Sequence, residues 1–351
     1  MPRIDQFLNL LIQHSGSDLH LSCGGPPQLR VHGHLQRVQF RDLTEADLNT
    51  LVSEIITPAQ LARYQATHDL DFAYEIPGTA RFRGNFFRQH RGPGAVFRII
   101  PSRIPSADEI GLPDAIRRFT DLNKGLVLVT GPTGSGKSTT LAAMVDLING
   151  TRPEHILTIE DPIEFVHQNK KALVNQREVG PHTESFAAAL KAALREDPDV
   201  ILVGEMRDRE TIALALTAAE TGHLVFGTLH TNSAHKTVDR IIDTFPGDLQ
   251  QQVRAMLAES LRGVVAQQLL RTKGGKGRVA AHEIMVGTAA VSNLIREAKT
   301  YQIPSIIQTG KRDGMIQMDQ SILALLMAGK VDGAEAYAKA LDKSLFQQYA
   351  G

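Results

Sequence analysis

A glycine-rich segment that directly follows an apolar run is the feature that most limits how this chain can fold. Residues 131–138 read Gly-Pro-Thr-Gly-Ser-Gly-Lys-Ser and follow the run Leu126–Val129. The apolar residues after this loop recur at helical spacing, at Leu141, Met144, Val145 and Ile148. A strand that passes through such a turn into a helix presents backbone N–H groups to phosphates. The order of strand, loop and helix therefore predicts a site for a nucleoside triphosphate.

The predicted nucleotide site comprises the whole loop and the start of the helix behind it. Its candidate residues are Gly131, Pro132, Thr133, Gly134, Ser135, Gly136, Lys137, Ser138 and Thr139. In a loop of this type the ammonium group of Lys137 reaches the β- and γ-phosphates, and the hydroxyl of Ser138 binds Mg²⁺. ATP and Mg²⁺ are therefore the predicted cofactors.

The composition limits the classes of partner and the compartment. The 351 residues include 38 lysines and arginines and 38 aspartates and glutamates, so the net charge does not favour nucleic acid or an anionic membrane as a partner. Cys23 is the only cysteine, which excludes an intramolecular disulfide and is typical of a reducing compartment. No apolar run approaches the roughly 18 residues of a spanning helix, and the amino terminus lacks the apolar core of a signal peptide. We therefore expect a cytoplasmic protein without direct membrane insertion.

Glycine and proline punctuation divides the chain into two parts. Residues 1–100 alternate short strands with helical stretches and predict a small α+β domain with an antiparallel sheet. Pro101, Pro105 and Pro113 mark a linker over residues 101–120. From residue 121 to 351 strands alternate with helices, which is typical of an α/β domain whose parallel sheet is covered by helices.

Three further patterns lie toward the carboxyl terminus. The spacing of apolar residues predicts one amphipathic helix over Leu249–Leu270 and a strand over Val279–Val286. The basic turn between them, residues 273–278, is interpreted as a solvated hairpin tip, with a phosphate or partner contact as the alternative. An apolar stripe at i, i+4 and i+8, predicted to face a core, consists of Tyr337, Leu341 and Leu345.

Two acidic segments stand where strands of the predicted parallel sheet end. Glu160 follows an apolar strand, and Gly204 and Glu205 follow the next one, residues 200–203. Hydrolysis needs one group that orients or deprotonates water and another on the Mg²⁺ side. The position at which an aspartate often holds Mg²⁺ is Gly204 here, so we assign the metal side to Glu205, acting through bound water. Glu160 is then the predicted base, with exchanged roles or exposed structural acids as the alternatives.

Two histidines bracket the predicted strand over residues 224–229. His223 and His230 therefore lie at opposite ends of this strand and cannot share a metal ion. His230 lies at the carboxyl end, where open α/β sheets bind their ligands. We predict that His230 donates a hydrogen bond to the γ-phosphate, and the alternative is a buried structural histidine.

Several segments occur together and in order, namely residues 131–138, 158–164, 204–208, 221–234 and 293–300. In this combination the chain resembles the secretion and traffic ATPases, in particular the retraction ATPases of type IV pili. The resemblance extends over nearly the whole chain. Extension and export members of this superfamily typically carry a four-cysteine subdomain, which Cys23 alone excludes. The retraction ATPases usually have glycine where this chain has Ala298.

This resemblance implies a PAS-like amino-terminal domain, a RecA-like ATPase domain and a homohexameric ring. The implied partners are a pilus platform protein in the inner membrane and other pilus motor ATPases. It further implies that Arg81 and Arg83 of the amino-terminal domain act on the phosphates. These arginines alternate with apolar residues, so they lie on one face of a strand. A solvated outer face is the alternative interpretation.

The predicted function is a Mg²⁺-dependent ATPase motor that powers pilus retraction from the cytoplasmic face of the inner membrane. An accessory or regulatory nucleotide-binding ring with slow turnover is the alternative, and the complete acidic set argues against it. A RecA-like enzyme that handles nucleic acid is a third candidate. The neutral charge and the lack of aromatic clusters argue against that candidate.

Overall fold

The computed structural model describes residues 2–31, 33–100, 103–275 and 277–350. The chain divides into two compact units, residues 1–103 and 104–351. This division falls within the predicted linker, whose residues Pro101 and Ser102 lie outside the described residues. Beyond it, Leu112, Ile116 and Phe119 are buried in the core of the second unit. Much of the segment 104–120 is therefore packed into the second unit.

The first unit is an antiparallel sheet with helices, as expected for a small α+β domain. Its strands are β1 (Asp18–Ser22), β2 (Gln28–Val31), β3 (His34–Arg37), β4 (Asp69–Ile76), β5 (Ala80–Gln89) and β6 (Gly92–Ile100), in the order β3-β2-β1-β6-β5-β4. Its helices are α1 (Asp5–Gln13), α2 (Glu45–Ser53) and α3 (Pro58–Thr67). Thr44 and Thr57 form capping boxes at α2 and α3, which satisfies the first N–H groups of each helix.

The second unit contains the predicted parallel sheet. Its strands are β7 (Gly125–Thr130), β8 (His155–Glu160), β9 (Leu173–Glu178), β10 (Val200–Val203), β11 (Leu224–Leu229), β12 (Leu261–Arg271) and β13 (Arg278–Val286). Their order is β13-β12-β7-β11-β10-β8-β9, and all neighbours are parallel except the antiparallel pair β12 and β13. The carboxyl ends of the parallel strands therefore share one edge of the sheet.

Helices cover both faces of this sheet. They are α4 (Asp114–Arg117), α5 (Lys137–Thr151), α6 (Phe186–Ala193), α7 (Arg209–Glu220), α8 (Ala234–Asp243), α9 (Gly247–Ser260), α10 (Ala289–Arg296), α11 (Ile303–Thr309), α12 (Met318–Met327) and α13 (Gly333–Lys339). Leu126 and Leu128 of β7 pack on one side, whereas Val127 and Val129 pack on the other with α5. In the described part of the chain no helix is long and apolar enough to cross a bilayer.

The prediction of one helix over Leu249–Leu270 is wrong in its second half. Helix α9 ends at Ser260 and the chain continues as strand β12. A short apolar run fits a buried strand and a buried helix equally well. The neighbouring strands β7 and β13 supply backbone hydrogen-bond partners along β12. This pairing stabilises the strand relative to a helix. The basic turn that follows, residues 273–278, contains Lys276, which lies outside the described residues.

The predicted apolar stripe is also wrong for two of its members. Leu341 is 63% exposed and Leu345 is 54% exposed. Helix α13 ends at Lys339, so the helical spacing that placed these leucines on the face of Tyr337 does not continue. Tyr337 itself packs against the core around Phe346.

Candidate functional site

The carboxyl ends of adjacent parallel strands bring the predicted site residues to one edge of the second sheet. The phosphate loop follows β7, His230 directly follows β11, Glu205 follows β10 and Glu160 ends β8. These strands are consecutive in the sheet, in the order β7-β11-β10-β8. The alternation of strands and helices had predicted this common edge, and the structure has it.

The phosphate loop depends on glycine at two positions. Gly131 has φ +144° and Gly136 has φ +88°, a backbone region that other residues rarely adopt. A Cβ atom on Gly131 would lie 2.3 Å from the carbonyl oxygen of Gln267. Gly136 precedes the first residue of α5, Lys137. The loop therefore delivers the chain into the amino terminus of a helix, which favours an anion there.

Gln267 of β12 fixes the loop, although sequence reasoning had placed it in a helix and had not assigned it a role. Its side chain is 3% exposed. Its amide nitrogen donates to the carbonyl oxygen of Ser135 at 2.7 Å. Its amide oxygen accepts from Oγ1 of Thr140 at 2.8 Å. One buried side chain thus ties the loop to both the neighbouring strand and helix α5.

Lys137 points back into its own loop. Its Nζ donates to the carbonyl oxygens of Gly131 at 2.9 Å and of Pro132 at 3.3 Å. Burial lowers the pKa of Lys137, and the charges of Glu205 and Glu164 act in the opposite direction. The ammonium group thus donates to two carbonyl oxygens of the loop and lies in the field of the Glu205 and Glu164 carboxylates, and phosphate oxygens can take the place of the carbonyl oxygens.

Glu205, His230 and Arg207 form a contiguous polar group. Nε2 of His230 lies 2.6 Å from Oε1 of Glu205, and Nε of Arg207 contacts the same oxygen. Partial burial alone would raise the pKa of Glu205, but the hydrogen bonds from Arg207 and His230 lower it. Glu205 is therefore held as a carboxylate. The contact to Arg207 was not predicted, although this residue lies only two positions beyond Glu205.

The structure also explains Gly204, which stands where an aspartate often holds Mg²⁺. A Cβ atom at Gly204 would lie 3.0 Å from the carbonyl oxygen of Ile159 and 3.3 Å from Cα of Glu160. Its own carbonyl oxygen accepts from Oγ1 of Thr228 at 2.5 Å. A side chain here would press on the backbone at the end of β8, so glycine fits this position and the nearest acid along the chain is Glu205.

Glu160 is held by three hydrogen-bond donors. Oε1 accepts from Oγ1 of Thr158 at 2.6 Å and from Nε2 of Gln176 at 3.1 Å. Oε2 accepts from the backbone N–H of Glu164 at 3.3 Å. Burial raises the pKa of Glu160, and the hydrogen bonds from Thr158 and Gln176 oppose this rise. A fixed carboxylate with raised basicity suits a group that accepts a proton from water.

Glu164 is an additional site residue that sequence reasoning quoted but did not assign. Its side chain is exposed, and its charge acts on both Lys137 and Glu160. The acidic charge near Lys137 therefore comes from two segments of chain, the one after β8 and the one after β10. Its position just after the strand that ends in Glu160 was the sequence feature that could have identified Glu164 as a site residue.

The residues present suit Mg²⁺ only together with phosphate. Within the described ranges, no group of three or more histidine, cysteine, aspartate or glutamate side chains converges as a metal site. Ser138 is half-buried on the first turn of α5, and its hydroxyl and the Glu205 carboxylate are hard oxygen ligands. Magnesium is usually held by one or two such groups and by substrate phosphates. Thr139 is half-buried on the same turn.

Arg81 and Arg83 lie in the first unit, on β5. The strand alternates as predicted, because Phe82, Gly84 and Phe86 are buried, whereas Arg81 is half-buried and Arg83 is exposed. Nε of Arg83 lies 3.9 Å from Oδ1 of Asp71. The predicted action of these arginines on phosphates stays a prediction.

Comparison with known proteins gives one consistent result. A family model described as type II/IV secretion system protein matches residues 1–337. The chain is 54% identical over 337 residues to the type IV pilus retraction ATPase PilT of Pseudomonas aeruginosa, covering 96% of this chain and 98% of that protein. It is 57% identical over 305 residues to a twitching motility protein of Neisseria gonorrhoeae, covering 87% and 82%.

A solved structure agrees with these sequence relatives. The crystal structure of the pilus retraction motor PilT with bound ADP superposes with a TM-score of 0.90 at 44% identity, covering 98% of each chain. This likeness confirms the predicted RecA-like ATPase domain with a preceding amino-terminal domain. The chain belongs to the type II/IV secretion system protein family and, within it, to the retraction ATPases of type IV pili.

Proposed function

We propose that this chain is a motor that hydrolyses ATP in order to retract type IV pili. The observation that carries the proposal is the convergence of Lys137, Glu205, His230 and Glu160 on one edge of a parallel sheet. The relatives named above match nearly the whole chain and are named for pilus retraction, which favours retraction as the process that this chain powers. A motor and a passive nucleotide binder both need a phosphate loop, but only the motor needs acids that activate water and hold the metal ion.

Each part of the hydrolysis reaction is assigned to a different side chain of the site. Lys137 exchanges its carbonyl contacts for the β- and γ-phosphates, which it neutralises. Ser138 and Glu205 would hold Mg²⁺, which supplies charge stabilisation at the phosphates. Glu160 orients the attacking water and accepts its proton. His230 donates a hydrogen bond to the γ-phosphate, and the 2.6 Å contact of its Nε2 with Oε1 of Glu205 supports its assignment to the same site.

The assembly and the partners complete the proposal. We infer a homohexamer at the cytoplasmic face of the inner membrane that acts on a platform protein of the pilus, together with other pilus motor ATPases. We infer that Arg81 and Arg83 of the amino-terminal unit act on the phosphates of the nucleotide. A guanidinium fork suits phosphate oxygens. No nucleic acid is needed in this scheme.

Steady-state turnover decides between a motor and an accessory ring. We expect Mg²⁺-dependent ATP hydrolysis by the purified full chain, loss of turnover and weaker nucleotide binding in Lys137→Ala, and retained binding in Glu160→Gln. Glu205→Gln should keep nucleotide binding, lower kcat by about 100-fold and need more Mg²⁺ for its remaining turnover, which separates the metal-side role from that of the base. Arg312→Ala, an exposed substitution outside the site, is the matched control. Slow turnover that none of the site variants lowers would favour the accessory ring.

A further inference from the structure

Strand β9 lies at one edge of the second sheet and presents two polar side chains beside the end of β8. The two strands are parallel neighbours, with Gln176 beside Thr158 and Glu178 beside Glu160. Residues two positions apart on a strand point to the same face of the sheet, as do residues that lie beside each other on neighbouring strands. Gln176 is therefore on the face that carries Glu160, the candidate base.

The two side chains of β9 bind the backbone of the segment that follows β8. Oε2 of Glu178 accepts from the backbone N–H of Ile163 at 3.1 Å. Oε1 of Gln176 accepts from the backbone N–H of His167 at 2.8 Å, and its Nε2 donates to the carbonyl oxygen of Phe165 at 2.8 Å. The segment has no regular secondary structure of its own, so these side-chain contacts hold it at the end of β8.

The amide group of Gln176 has one orientation that satisfies its neighbours. Its nitrogen donates twice, to Oε1 of Glu160 at 3.1 Å and to the carbonyl oxygen of Phe165. Its oxygen accepts the backbone N–H of His167. A reversed amide would place its oxygen against a carboxylate and a carbonyl oxygen, and its nitrogen against a donor. Gln176 is therefore fixed as a donor to Glu160.

This donor matters because the charged groups around Glu160 are acidic. Glu164 follows it in the held segment, and Glu178 lies beside it on β9. Glu205 follows the other neighbouring strand, β10. Burial and the charge of Glu164 raise the pKa of Glu160, whereas the hydrogen bonds that oppose this rise come from neutral groups. Each neutral donor therefore helps to keep Glu160 ionised and in place.

We propose that Gln176 is a positioning residue for ATP hydrolysis, which holds the carboxylate of Glu160 and the segment that carries Glu164 in one fixed arrangement. The proposal rests on the proposed ATPase function and extends the site to the edge strand β9. Gln176 acts through Glu160 rather than on the nucleotide. Because the charge of Glu164 also acts on Lys137, the same amide helps to place acidic charge near the phosphate loop.

Gln176→Met tests this role, because methionine keeps the length of the side chain but has neither the donor nor the acceptor. We expect unchanged ADP affinity and a fall in kcat of about tenfold or more, the value of one hydrogen bond to a charged group. The fall of kcat/KM at acid pH should move to higher pH, because the pKa of Glu160 rises without this donor. Gln176→Glu replaces the donor by another carboxylate and should move it further. Gln168→Met, an exposed substitution in the same segment, is the control and should change none of these quantities.

A double variant shows whether Gln176 acts through Glu160. In the Glu160→Gln background, Gln176→Met should lower kcat by less than about twofold, because the group that it positions is already lost. Hydrogen exchange of the His167 amide in the nucleotide-free protein should be faster in Gln176→Met, because that N–H loses its acceptor.

Three results would overturn the role of Gln176. Losses of kcat that multiply in the double variant would show that it acts independently of Glu160. A lower kcat with an unmoved fall at acid pH would make it a structural residue only, and wild-type kcat in Gln176→Met would exclude any role in hydrolysis. These results in an active wild type contradict the role of Gln176 alone, whereas a wild-type chain that does not hydrolyse ATP would contradict the proposed function itself.

Discussion

Replacing Gln267 by leucine tests whether the phosphate loop is fixed by a side chain 132 residues away from Ser135. Leucine has a similar size but no polar atom, so the Ser135 carbonyl and the Thr140 hydroxyl would both lose their partner. Each buried polar group left without a hydrogen bond costs about 1–3 kcal/mol. The native loop conformation is then destabilised by about 2–6 kcal/mol in total.

The loop can relieve the part of this cost that falls on the Ser135 carbonyl by leaving its position, which lowers the fraction of protein that is competent to bind. Since 1.4 kcal/mol corresponds to a factor of ten, we expect ADP affinity to fall about tenfold or more. Calorimetric titration with ADP measures this change, and hydrogen exchange of the loop amides reports the opening directly. Gln250→Leu is the matched control, because among the described residues its side chain bonds to the carbonyl of Phe245, at 3.1 Å, outside the candidate site. Wild-type ADP affinity and wild-type amide exchange in Gln267→Leu would refute the reasoning.

Three other predictions address the base, the backbone and the arginines. Burial raises the pKa of Glu160, and a base must be ionised, so kcat/KM should fall as the pH drops through a pKa above that of an ordinary glutamate. Glu160→Gln should lower kcat by about 100-fold and remove this fall of kcat/KM at acid pH. The same fall in the variant as in the wild type would contradict the role of Glu160 as the base. Ala298 has φ +58°, so Ala298→Gly should stabilise the chain by about 0.5–1 kcal/mol, seen as a higher thermal midpoint; a lower midpoint would contradict the strain. In the proposed hexamer we expect Arg81 and Arg83 to serve the nucleotide of their own chain, so mixing Lys137→Ala with Arg81→Ala/Arg83→Ala subunits should not restore activity. Recovered ATPase activity in verified mixed assemblies would show action across subunits.

Sequence reasoning brought the candidate site residues to one edge of the sheet because local chemistry and strand alternation agree there. The loop at residues 131–138 has a fixed spacing, and parallel strands necessarily end at a common edge. Glu160, Glu205 and His230 each directly follow such a strand or end it. Their approach to the loop therefore needed no knowledge of side-chain packing.

Sequence reasoning failed where long-range pairing decides the structure. Strand β12 was taken for a helix because its apolar run fits either element, and only its pairing with β7 and β13 distinguishes them. This error hid Gln267, whose role depends on β12 lying next to the loop. The contact of Arg207 with Glu205 depends on a side-chain conformation that spacing does not specify.

Microscopy of fluorescently labelled pili tests the central claim most directly. In the organism that encodes this chain, deletion of its gene should leave pili that extend but do not retract. The wild-type gene should restore retraction, and Lys137→Ala, produced at the same level, should not restore it. Pili that retract normally in the deletion strain, or in the strain with Lys137→Ala as the sole copy, would contradict the account of this chain as an ATP-driven retraction motor.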